Sequence, residues 1–162
     1  MLKLVYTDEK TVYEKLKNEI APYICGNFEI LRTENGKPYV YGDPVFFSIS
    51  HSKNRAVIAL SDSPVGVDME VLPRKIPESV ISRFTDRERV EINGNGRKFL
   101  ENWTAKEAFV KMKGGKIFDL ISRLEYAGNT VFLDGTPQNC RICTHQSDFS
   151  IVTTCTEARD EK

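Results

Sequence analysis

Residues 65–71, Val-Gly-Val-Asp-Met-Glu-Val, constrain the fold more than any other segment. Val65, Val67, Met69 and Val71 alternate with Gly66, Asp68 and Glu70, and a period of two is the signature of a strand. The pleat sends Asp68 and Glu70 to the same face, with Cα atoms about 7 Å apart. Strand interiors disfavour Asp, and two like charges on adjacent same-face positions repel unless something positive lies between them. Either this strand has a solvated face, or its two acids meet a cation.

The segment Trp103-Thr104-Ala105-Lys106-Glu107-Ala108-Phe109-Val110-Lys111 supplies a third acid. It sits in a helix expected over 97–113, which Gly114-Gly115 would end. Glu107 lies one turn from both Trp103 and Lys111. It can be half of an exposed i,i+4 pair with Lys111, or an acid at the edge of a buried stripe that wants a partner. Asp68, Glu70 and Glu107 on rigid elements, with Lys111 nearby, have the chemistry to hold Mg²⁺ against a phosphate.

The 162 residues carry 23 basic and 23 acidic side chains. No global field therefore draws the chain to nucleic acid or to a membrane surface. The charge is uneven: positions 74–116 hold 11 basic and 6 acidic residues. Arg83, Arg87, Arg89, Arg97 and Lys98 in that stretch are either solvated helix faces or a surface for an acidic partner. No apolar run has the length of a signal peptide core or a membrane span, so the expected location is the cytoplasm. Cys140 and Cys143 have the spacing of a metal or redox pair, but they fall on an expected strand, where positions three apart face opposite ways. Reduced structural thiols are the expectation for Cys25, Cys140, Cys143 and Cys155.

The pattern along the chain is α+β. Met1–Tyr6 reads as a strand and 11–24 as an amphipathic helix on Val12, Leu16 and Ile20. Asn35-Gly36-Lys37-Pro38 and Gly42-Asp43-Pro44 are turns. Strands at 46–50 and 56–60, joined through His51-Ser52-Lys53-Asn54, lead into 65–71 and suggest an antiparallel meander. Short helices are expected at 78–84 and 86–92, the second opened by a capping box of Thr85 and Glu88. Strands are expected at 123–127, 130–133, 140–144 and 149–155, and 157–162 as a frayed tail. Strand, helix and strands thus occur twice in outline, in halves 1–62 and 63–162 that act as one unit.

His51 within Phe47-Ser48-Ile49-Ser50-His51-Ser52 could be a base, a metal ligand, a phosphate contact or a hairpin cap. A Ser/His dyad is disfavoured, because Ser50 and His51 are adjacent on a strand and no G-x-S-x-G elbow exists. Taken in order, this segment, Gly66–Glu70, Phe84-Thr85-Asp86-Arg87-Glu88 and Trp103–Lys111 resemble the 4′-phosphopantetheinyl transferase superfamily. Their spacing is similar to its surfactin-synthetase-activating branch, and Gly36-Lys37-Pro38-Tyr39 matches a further motif. The resemblance spans about half of the chain, Gly36 to Lys116, and implies a shortened N-terminal half.

That resemblance implies an α+β fold of two pseudo-symmetric sheet-and-helix halves. It implies an enzyme that moves phosphopantetheine from coenzyme A to a serine of an acyl or peptidyl carrier protein, releasing adenosine 3′,5′-bisphosphate. It assigns Mg²⁺ to Asp68, Glu70 and Glu107, and the phosphates to Ser50, His51 and Lys111. It sets Lys37 and Pro38 on the adenine side. The catalytic candidates are Glu107, Lys111 and Glu88, with the proton acceptor left open among Glu107, Glu88 and a metal-bound water. A different Mg²⁺-dependent phosphotransferase is the rival, although no G-x-x-x-x-G-K-[ST] loop is present. An inactive carrier- or coenzyme-binding homologue is the other.

Overall fold

The two strongest local signals set the centre of the molecule. In the computed structural model, which describes residues 1–42, 45–75 and 77–158, the alternating segment is a strand and the 18-residue helix lies across it. Asp43 and Pro44 of the expected turn, and residues 159–162 of the expected tail, lie outside the described residues.

In chain order the elements are β1 (Leu2–Asp8), α1 (Val12–Ile20), β2 (Leu31–Arg32), β3 (Pro38–Tyr39), β4 (Phe46–Ser52), β5 (Arg55–Ser61) and β6 (Val65–Val71). Then come α2 (Glu78–Ile81), α3 (Asp86–Ile92), α4 (Gly96–Lys113), α5 (Ile117–Leu120), β7 (Leu124–Ala127), β8 (Thr130–Leu133), β9 (Thr136–Pro137), β10 (Cys140–Gln146) and β11 (Ser150–Glu157). The first helix stops at Ile20 rather than continuing to 24, because Pro22 follows and the chain tightens into a single 3₁₀ turn over Ala21–Tyr23.

Two three-stranded antiparallel sheets carry the structure, ordered β1-β5-β4 and β10-β11-β6. Here the meander expectation is corrected. β4 and β5 form the expected hairpin, but β6 leaves it and pairs with β11, Asp68 opposite Thr153. The hairpin turn is also shorter than expected, just Lys53-Asn54, with Lys53 at φ 57°. His51 and Ser52 therefore belong to β4.

α1 buries Val12, Leu16 and Ile20 against Phe47, Ile58 and Leu60. α4 packs on β6 and β11, and its Phe99, Leu100, Ala105, Ala108, Phe109 and Met112 share one apolar cluster with Ile151 and Cys155 of β11. A third apolar cluster, Val57, Ala59, Val65, Val67, Met69 and Val152, joins the two sheets. The approach of α4 to β6 is close enough to dictate a residue. A Cβ on Gly66 would fall 1.9 Å from the Ala108 carbonyl oxygen and 2.5 Å from the Met112 nitrogen, so only glycine fits.

The free edge of β6 is closed in an unusual way. The N–H groups of Val67, Met69 and Val71 donate to the hydroxyls of Ser48, Ser50 and Ser52, each at 3.1 Å. All three serines are buried, and their period of two puts one hydroxyl at each step of the strand.

Helix termini follow local chemistry. Thr85 and Glu88 form the expected capping box, a device that contributes about 1 kcal/mol. Asn95 accepts from the N–H groups of Arg97 and Lys98 at the start of α4, and Gly114 ends it in the left-handed region at φ 74°. Among the described residues no helix is long and apolar enough to cross a membrane.

Candidate active site

Two elements bring the acids together. β6 projects Asp68 and Glu70 from the face that carries Gly66. Because Gly66 lets α4 sit on that face, the next turns of α4 deliver Glu107 and Lys111 to the same place. The Lys111 Nζ lies 2.7 Å from Asp68 Oδ1 and 3.1 Å from Ser50 Oγ. Ser50 donates to Asp68 Oδ1 at 2.8 Å, and Ser52 donates to Glu70 Oε2 at 3.0 Å. Arg74, which belongs to none of the motifs above, forms an ion pair with Glu70. Its position four residues after Glu70 was the available signal.

The electrostatics are those of too many negative charges in a dry place. Burial pushes the Glu107 carboxyl up to about 7, with repulsion from Asp68 and then Glu70 adding to it and Lys111 and Arg74 opposing. Burial first, and then Asp68, raise Glu70 as well. Asp68 Oδ2 is buried without any hydrogen-bond partner, a costly arrangement for a carboxylate oxygen. Among the described residues no group of three His, Cys, Asp or Glu side chains already surrounds one metal position. The acids are instead drawn to Lys111 and Arg74. The donor set still fits a hard divalent cation: three carboxylates, one with an oxygen that nothing satisfies.

Beside this cluster lies a cavity of about 290 Å³, walled by Arg32, Lys37, Pro38, His51, Glu107 and Lys111 among others. The loop carrying Lys37 is tied to the end of α4. Lys37 Nζ donates to the Met112 carbonyl at 2.9 Å and Asn35 Nδ2 to that of Gly114 at 3.0 Å. Arg32, unremarked in the sequence, is held by the Gly36 carbonyl at 2.9 Å and by the Tyr13 hydroxyl. His51 is exposed, its Nε2 3.9 Å from Glu9 Oε1.

Two of the expected site residues are not among those that line the cavity. Ser50 does not line the cavity. Its hydroxyl is spent on Asp68, Lys111 and the Met69 N–H. Glu88 is buried away from the carboxylate cluster. It accepts from Lys106 Nζ at 2.6 Å, from the Tyr126 N–H at 2.9 Å and from the Thr85 N–H at 3.0 Å. Lys106 in turn lies 3.9 Å above the Phe84 ring. Burial pulls the Lys106 ammonium below the usual lysine range, and Glu88 counters that pull. The acid of the capping box is thus a core partner of Lys106.

The expected basic face is partly neutralised. Arg87 pairs with Glu125 at 3.1 Å and Lys98 with Glu91 at 3.0 Å, Arg89 pairs with Asp86, and Arg97 reaches Gln146. Arg83 stacks over Phe118 at 5.4 Å. Cys140 is half-buried and Cys143 exposed, both free thiols. They fall on opposite faces of β10 as the spacing implied.

Residues 64–158 match the family model of the 4′-phosphopantetheinyl transferase superfamily, and the chain belongs to that superfamily. Its relatives include the 4′-phosphopantetheinyl transferase gsp of Aneurinibacillus migulanus, 32% identical over 126 residues, which are 67% of this chain and 52% of gsp. The 4′-phosphopantetheinyl transferase psf-1 of Bacillus pumilus is 36% identical over 93 residues, 52% of this chain and 40% of psf-1. These two support the surfactin-synthetase-activating type. The 4′-phosphopantetheinyl transferase AcpT of Salmonella typhi is 35% identical over 103 residues, 58% of this chain and 54% of AcpT. The chain spans about half the length of the curated relatives it matches.

Proposed function

We propose that this protein transfers 4′-phosphopantetheine from coenzyme A to a carrier-protein serine. The observation that carries the reading is the buried, unpartnered Asp68 Oδ2 inside a three-carboxylate cluster that borders a basic-lipped cavity. Asp68, Glu70 and Glu107 would hold Mg²⁺. When bound, the ion would polarise the pyrophosphate oxygens and offset charge as the phosphoryl group transfers.

The chain's own groups have separable roles. Lys111 stays close to Asp68 and also lines the cavity, where it would balance phosphate charge. Arg32 and His51 line the lip and suit the coenzyme's phosphates, with Lys37 and Pro38 on the adenine side. Glu107 is the carboxylate that lines the cavity wall, so it takes the proton of the carrier serine. The serine oxygen forms the new bond to phosphorus, the bond to adenosine 3′,5′-bisphosphate breaks, and the proton rests on Glu107. Glu88, paired with Lys106, would take no part in that transfer.

The two-half organisation, 1–62 and 63–162, is part of the same reading. It is supported by the strand orders, β1-β5-β4 in one sheet and β6-β11-β10 in the other, which we read as equivalent, with α1 and α4 as the matching helices. The serine ladder between β4 and β6 is the seam, and the site lies along it. Incubating an apo-carrier protein with this protein, coenzyme A and Mg²⁺ tests the proposal by mass spectrometry. The carrier gains the mass of one phosphopantetheine on its serine; no gain across several carrier classes would sink the reading.

A further inference from the structure

The serine ladder does more than close a strand edge. We infer that Ser50 and Ser52 are positioning residues that aim Asp68 and Glu70 at a divalent cation, whereas Ser48 only holds the seam. The inference rests on the metal reading above.

The hydrogen-bond inventory of a hydroxyl carries the argument: one proton to donate and two lone pairs. Ser50 Oγ accepts from the Met69 N–H at 3.1 Å and from Lys111 Nζ at 3.1 Å. Neither an N–H nor an ammonium can accept, so the serine proton has one destination, Asp68 Oδ1 at 2.8 Å. That oxygen also receives Lys111 at 2.7 Å. Both contacts fall on Oδ1 and leave Oδ2 bare and buried. The carboxylate is therefore held by one oxygen with the other presented, as an ion ligand would be.

Ser52 repeats the unit two residues on. It accepts from the Val71 N–H at 3.1 Å and donates to Glu70 Oε2 at 3.0 Å. In each unit a β4 hydroxyl is fixed by the backbone N–H of residue i+1 of β6 and fixes the carboxylate of residue i. Ser48 accepts from the Val67 N–H in the same way, but the β6 position before Val67 is Gly66, which has no side chain to orient. The molecule thus contains its own control.

The test is Mn²⁺ binding, followed by electron paramagnetic resonance with and without coenzyme A, together with thermal melts of each variant. S48A, S50A and S52A each remove an acceptor from a β6 N–H, so all three lower the melting temperature. Only S50A and S52A weaken Mn²⁺ binding, by about 10- to 100-fold, the usual effect of losing a partner that orients a ligand. S50T, which keeps a hydroxyl, restores most of the affinity. Should S50A not fold, S50C, of similar shape but a poor donor, and S52A carry the same comparison. Mn²⁺ affinities of S50A or S50C and S52A equal to wild type, or lowered equally in S48A, overturn the positioning role while leaving the metal site standing. A wild-type protein that takes up no Mn²⁺ under either condition overturns the metal reading itself.

Discussion

Lys111 and Asp68 are 43 residues apart in the chain, yet the lysine Nζ lies 2.7 Å from Asp68 Oδ1 while Oδ2 is buried with no partner. One oxygen of this carboxylate is anchored and the other is available. If that oxygen binds Mg²⁺, Asp68→Ala loses carrier modification by about a hundredfold or more, since several kcal/mol of charge stabilisation disappears. Chelating the metal from the wild-type protein has the same effect, reversed by adding Mg²⁺. Holo-carrier formation measures both, and a fully active Asp68→Ala variant at ordinary Mg²⁺ rules the assignment out.

Gly66 decides whether α4 can reach the acids. Gly66→Ala forces a methyl into the Ala108 carbonyl and the Met112 nitrogen. Both are backbone atoms, so the helix must move. The expected cost is about 3 kcal/mol, at the upper end of overpacking effects. Chemical denaturation reads it, and coenzyme affinity falls alongside because Glu107 and Lys111 ride on the displaced helix. An Ala variant as stable as wild type would mean that the helix stands further off.

Glu88 and Lys106 can be separated from catalysis by a pair of variants. Glu88→Gln leaves Lys106 as an uncompensated buried charge and costs about 3–5 kcal/mol. Adding Lys106→Met removes that charge and recovers most of the loss. The folded double variant retains carrier modification. If it proves stable but inactive, Glu88 takes part in the chemistry after all.

His51 and Lys111 are expected to contact phosphates without becoming covalently attached. Each change to Ala weakens coenzyme A binding by about tenfold, the scale of one hydrogen bond to a charged group. Isothermal titration shows this. A pantetheine adduct on Ser50 or Ser52 in intact-protein mass spectra would contradict the role assigned to this strand.

Arg83 and Arg87 are the exposed members of the basic stretch closest to the α3 start. Arg87 shares its charge with Glu125, and Arg83 lies over Phe118. If an acidic carrier docks there, reversing both to Glu raises the KM for the carrier by about tenfold at low salt and flattens its salt dependence. Coenzyme affinity stays unchanged. Kinetics that are unaffected across ionic strengths mean that these arginines only solvate their helices.

What short-range pattern can specify was determined by the sequence itself. The strand Val65–Val71 has the bounds its alternation implies, and Thr85 with Glu88 makes the capping box that a three-residue spacing announces. Gly114 ends α4 because a left-handed residue there costs glycine nothing. The grouping of Asp68, Glu70, Glu107 and Lys111 was legible too, since two same-face acids and an acid one helical turn from a lysine each call for a partner. Tertiary structure alone decided the rest. Nothing local to β6 selects β11, some eighty residues on, over the adjacent β5. Nothing local to Glu88 distinguishes a capping acid from one that also neutralises a fully buried lysine 18 residues later. The three serines of β4 look like the polar side of a half-exposed strand until the β6 edge lies against them and turns each hydroxyl into a buried link. Periodicity and capping depend on neighbours within about one turn or two strand positions. Partner choice among strands and buried charges depends on which surfaces the whole chain brings together and removes from water.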